Sequence, residues 1–158
     1  MANTQSMCTS FMGELLTATH NFGASPIRAA ATADTFKAAL YLVSATVNAS
    51  TTVYSTSGEV TGTNYTAGGV TVTNANAPTA TNSSVTAGVA YWTPSASFVY
   101  TTVTLATAFD TVLLYNSSQS NKAVSVHTFG SQTITAGTFT LTMPSSTTTT
   151  ALLRLSTT

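Results

Sequence analysis

From Asp34 onward the apolar residues recur at every second position. In TFKAALYLV, Phe36, Ala38, Leu40 and Leu42 fall on one side of an extended chain, with Lys37, Ala39, Tyr41 and Val43 on the other. A period of two is the pleat of a β-strand, and no helix keeps such a set on one face. Both sides are largely apolar here, which predicts a central strand covered on both faces. Short runs of Val, Thr, Tyr and Phe follow, each bounded by Gly, Asn, Ser or Pro. Residues 70–72 follow the Gly68-Gly69 turn, and 84–92 are interrupted by Gly88. In 98–105, Val99, Val103 and Leu105 are expected on one face and Tyr100 on the other. Residues 111–115 and 122–129 read as a hairpin across NSSQSN, 131–135 and 138–143 as strands joined at Ala136-Gly137, and 151–155 as a last strand. About eight strands with turns every 8–12 residues predict an all-β fold, an antiparallel β-sandwich or jelly roll.

The N-terminus has a different period. Cys8, Phe11, Met12, Leu15 and Leu16 fall at i, i+3, i+4, i+7 and i+8, one face of a short helix. Asn21 and Gly23 make a stop, and 24–33 read as a loop or short helical turn. The expected organisation is therefore an N-terminal helix and loop over 1–33, a possible contact arm, and one β-domain over 34–158, with no linker. The start has no basic leader before its apolar residues, so no signal peptide is expected, and no run is long enough for a membrane helix. The N-x-[ST] matches at Asn48, Asn64, Asn82 and Asn116 follow from a chain rich in Ser and Thr and are read as unglycosylated.

Charge is scarce. Glu14, Arg28, Asp34, Lys37, Glu59, Asp110, Lys122 and Arg154 make up 5% of the chain, against about 25% in an ordinary globular protein. Ser and Thr take their place. With 43% hydrophobic residues and zero formal net charge, disorder is not expected. Four scattered Lys and Arg cannot build the basic stripe that nucleic acid requires. A neutral surface also lacks the usual protection against self-association, which suits a chain that lives inside an assembly.

Reactive side chains are equally few. His20 sits where the helix pattern ends, His127 alternates within a strand, and with Cys8 they lack the ligand spacing of a zinc site. Serines abound, but no G-x-S-x-G places one for nucleophilic attack. Glu14, Asp34, Glu59 and Asp110 carry no local motif for a glycosidase pair. Gly68-Gly69 lacks the Lys and Ser/Thr of a phosphate loop. Tyr91, Trp92, Phe98, Tyr100, Phe109, Phe129 and Phe139 could form a sugar platform, but their alternation favours a core. Thr-x-Thr pairs recur without a fixed period, which excludes an ice-binding solenoid. The expectation is no catalytic residue, no cofactor and no metal.

The order of segments carries a resemblance. FMGELLTATHNF is followed by TFKAALY, GEVTGTNYTAGGVTV, a Trp, FDTVLLYN, VHTFGSQTITAGTFTLTMP and LLRL. Over residues 11–155 this succession resembles the capsid cement or decoration proteins of tailed double-stranded DNA phages. The resemblance implies a small β-rich virion protein without catalysis, a homo-oligomer (dimer or trimer) bound outside the shell to the major capsid protein and bridging its subunits. Such a protein would be assembled in the host cytoplasm and would have no nucleic acid or membrane partner. It places the contact on the N-terminal segment, at Phe11, Leu15, Phe22, Ile27 and Arg28. The alternative is a tail or baseplate adaptor, or a receptor-binding virion component.

Overall fold

The computed structural model describes residues 3–8, 11, 15, 19–22, 33–81 and 88–156. Among them lie eight strands: β1 (Ser6–Met7), β2 (Phe36–Leu42), β3 (Val70–Thr71), β4 (Thr79–Ala80), β5 (Val89–Trp92), β6 (Phe98–Asn116), β7 (Lys122–Leu141) and β8 (Leu153–Ser156). The fold is all-β with antiparallel pairing. Among the described residues no helix is long and apolar enough to cross a membrane.

The expected N-terminal helix is not seen among the described elements. Residues 12–14 and 16–18 of its pattern lie outside the described set. Its start is drawn onto a sheet edge instead. Ser6 and Met7 pair with Val126 and Ser125, and the Cys8 N–H donates to the Val124 carbonyl at 3.1 Å. Cys8 and Phe11 are both buried.

The chain forms two compact units that interleave along the sequence. The first comprises Met1–His20, Asp34–Val72 and Phe98–Thr140; the second Asn21–Ala33, Thr73–Ser97 and Leu141–Thr158. The boundary expected between 33 and 34 coincides with one of the crossings between the two units.

In the first unit the strand order is β1-β7-β6-β2-β3. As expected, β2 is central: it pairs with β6 from Phe36↔Asn116 to Leu42↔Phe109, and with β3 at Lys37 and Ala38. Val112, Leu113, Leu114, Leu40, Val124 and Val126 are fully buried around it. β6 and β7 are neighbours joined across residues 117–121, which is the expected hairpin.

Two differences from the sequence reading shape this unit. Runs expected as separate strands merge into β6, of 19 residues, and β7, of 20, well beyond the usual 3–10. Their length is absorbed by folding back. Tyr100 and Leu114 both reach Ala38, Tyr100 by donating its hydroxyl proton to the Ala38 carbonyl at 2.8 Å and Leu114 as its ladder partner. A straight strand would hold them about 46 Å apart. On β7 the rings of Phe129 and Phe139 lie 5.3 Å apart, where ten extended residues would span roughly 33 Å. Phe109 packs edge-on against both. Phe109 is buried, as its alternation suggested, while Phe129 and Phe139 are half-buried against it.

The second difference is a phase shift. Phe98 and Tyr100 are buried, then Val103 and Leu105, while Val99 is 41% exposed. Val99 therefore does not share a face with Val103 and Leu105. Between them Thr102 takes φ 53°, and Asn64 Nδ2 donates to its carbonyl at 2.9 Å. One extra residue in a strand moves every later side chain to the opposite face. On β7, Ala136 (φ 46°) bends the strand in place of the expected turn, its N–H donating to Thr104 Oγ1 at 3.0 Å. A β-branched residue is strained at positive φ. Thr102→Gly is therefore expected to stabilise the protein by about 1 kcal/mol, read as a higher urea midpoint with an unchanged slope.

The second unit holds the sheet β4-β5-β8, with Trp92 opposite Leu153. Trp92 is buried edge-on against Phe22 at 4.7 Å, and its indole N–H donates to the Asn76 carbonyl. The threonine run ending at Thr150 is an exposed turn held by its own hydroxyls, Thr147 to Thr150 at 2.7 Å.

Candidate functional site

The most concentrated polar cluster lies in the first unit around Glu59. This residue sits in the glycine- and threonine-rich loop between β2 and β3, yet it is buried. It bridges to Tyr41, and the Val60 N–H donates to the Leu40 carbonyl, so the loop is laid against β2. Three donors converge on its carboxylate. Tyr54 donates to Oε2 at 2.6 Å, and Tyr65 and the Gly68 N–H donate to Oε1 at 2.7 Å each. Gly68 takes φ 90°, a conformation open to glycine, which turns its N–H inward.

The tyrosines continue outward as a network. The Tyr65 hydroxyl accepts the Leu40 N–H at 3.0 Å, Tyr115 donates to the Gly68 carbonyl at 2.9 Å, and Tyr41 donates to the Ser55 carbonyl. Tyr54 stacks on Tyr115 at 4.6 Å and Tyr65 on Tyr100 at 6.0 Å. Burial pushes all five phenols up. Tyr41 and Tyr115 rise to about 12, with the Glu59 charge adding to the desolvation. Tyr54 and Tyr65 rise further, through burial and then their hydrogen bonds to Glu59. Tyr100 rises through burial first and the Glu59 charge second. These phenols are neutral donors at ordinary pH. The cluster accepts and donates hydrogen bonds within itself, and it fastens a loop to a sheet.

A surface hollow of about 400 Å³ in the same unit is lined by Tyr41, Ser44, Thr46, Thr51, Ser55 and Ser57, among others, none of them charged.

The sequence candidates are dispersed. Each described carboxylate has its own neutral partners. Asp34 accepts from Asn116 and Gln119, and Asp110 from Asn3 and Thr111. None of these partners is shared with Glu59, and Glu14 lies outside the described residues. His20 is buried against Phe11 and Phe36, with Nδ1 3.0 Å from Asn116 Nδ2. Among the described residues no three His, Cys, Asp or Glu gather as metal ligands. His127 Nε2 lies 2.8 Å from Ser125 Oγ, the contact a serine nucleophile makes with its base. Ser125 is 1% exposed, so its oxygen is closed to a substrate and the pair is a strand contact.

Burial lowers His127 from 6.5 to about 4. Its folded value is depressed, so its contribution to stability is complete above pH 6.5 and is lost as the pH falls towards 4. The loss is expected to be roughly 1–3 kcal/mol, seen as a falling urea midpoint across that window and flattened in His127→Gln.

Of the expected contact residues, Phe11 and Phe22 are buried side chains, Leu15 is half-buried, and Ile27 and Arg28 lie outside the described residues. The sequence reading missed the tyrosine cage. Its one visible signal was an isolated acid with a tyrosine five residues before it and another six after. Comparison with protein-family models, with curated proteins and with solved structures finds no match for this chain.

Proposed function

We propose that this protein is a structural phage virion component that binds the outside of the capsid shell and bridges neighbouring capsid subunits, without catalysis. The observation that carries the reading is the neutrality of its exposed strands. Residues 123–153 hold no Asp, Glu, Lys or Arg, and the far half of β7 turns Thr133, Thr135, Thr138 and Thr140 to solvent. Such a surface gives phosphate nothing to pair with. Laid against another protein, it buries no charge, while its hydroxyls remain able to hydrogen-bond. The order of segments that resembles cement proteins supplies the kind of assembly. The doubling back of β6 and β7 supports a two-layered β-unit of the sandwich or jelly-roll class.

The partners in this reading are the major capsid protein and further copies of the chain, with several modest contacts acting together. Because Phe11 and Phe22 are occupied within the chain, the reading puts the contact on exposed strand surface instead. Quantitative mass spectrometry and gold-labelled antibody on purified virions test it. Stoichiometric presence with label on heads is the expected result. Absence from virions, or label confined to tails, overturns it.

A further inference from the structure

We propose that the outer edge of β7, over residues 129–135, is the surface through which two copies of this chain pair antiparallel about a two-fold axis. On that edge β1 pairs only with Ser125 and Val126. Among the described residues no other strand pairs with β7 beyond them, apart from β6 on its inner side. The stretch from Gly130 to Thr133 is exposed throughout, and a Cβ placed on Gly130 would meet no atom within 4 Å. The bend at Ala136 ends the straight segment.

An edge strand presents alternate N–H and C=O groups without ladder partners. A second copy running antiparallel offers the complementary set by symmetry alone, which makes the surface self-complementary. Soluble proteins usually blunt such an edge with Lys, Pro or inward charges. None of these occurs between Ala123 and Met143. The absence of charge leaves this edge free to meet a second copy of itself. A charged partner gains no attraction from this strand, whereas a second copy meets it without repulsion. This pairing stands on the edge geometry and does not depend on the capsid reading.

The test is analytical ultracentrifugation of the full chain from micromolar to millimolar concentration, with amide hydrogen exchange at both ends of the range. The expected result is a reversible dimer, with exchange slowing at 129–135 as concentration rises. Gly130→Lys places a charge where the single chain has open space. It should weaken dimerisation about 10-fold or more at low salt, recover partly at high salt, and leave the unfolding midpoint of the dilute monomer unchanged. Thr133→Lys should do the same. A chain that stays monomeric overturns the proposal. So does a dimer whose protection lies elsewhere and which Gly130→Lys leaves intact.

Discussion

Raised from pH 10 towards 12, the protein is expected to unfold in one cooperative step that releases its tyrosine protons together. An ordinary phenol ionises near 10, and the unfolded chain exposes all its tyrosines to that value. In the folded chain Tyr41 and Tyr115 hold their protons to about 12, and Tyr54, Tyr65 and Tyr100 hold them beyond that. A folded value raised above the unfolded one means that stability is whole below pH 10 and drains as the pH climbs. Each phenol held neutral through one pH unit withdraws about 1.4 kcal/mol, less for one open to solvent such as Tyr54. Several acting together remove an amount comparable with the roughly 5–15 kcal/mol that holds a domain of this size. Phenolate absorbance and far-ultraviolet circular dichroism should therefore change at the same pH. Smooth ionisation of five phenols near pH 10, with the strands intact, would show that they are not shielded by this cage.

Replacing Glu59 by Ala is expected to cost about 3–5 kcal/mol, most of the stability of a marginal fold. The change leaves the Tyr54 and Tyr65 hydroxyls and the Gly68 N–H without their acceptor, in a site where water does not readily replace it. Glu59→Gln keeps one acceptor oxygen and should lose about 1–2 kcal/mol. The measurement is chemical denaturation of both variants beside the parent. If Glu59→Ala matched the parent midpoint, the carboxylate would not be what fastens the loop to β2.

Much of the β-architecture was legible because strand periodicity is local. The alternation in TFKAALYLV marked β2 as central, and NSSQSN marked the turn between β6 and β7. The phase shift at Thr102 was not legible, since it rests on a side chain from another loop, Asn64, holding the Thr102 carbonyl. The bend at Ala136 likewise rests on Thr104. At the N-terminus a helical period was present, but the pairing of Ser6 and Met7 with β7 depends on an edge some 120 residues away. The Glu59 site shows the same limit. Its acid stands out among glycines and threonines, whereas its donors meet only when the loop carrying Tyr54, Tyr65 and Gly68 closes over β2.

By itself the sequence determined that the chain is made of strands, that it carries almost no charge, and that it offers few groups able to exchange a proton near neutral pH. Those properties belong to residue type and spacing, which no folding step alters. Tertiary structure alone decided which strands run on as one, where they fold back and which carboxylate is caged. Each of those depends on hydrogen bonds and ring contacts between residues far apart in the chain, and their partners are set by closure of the fold.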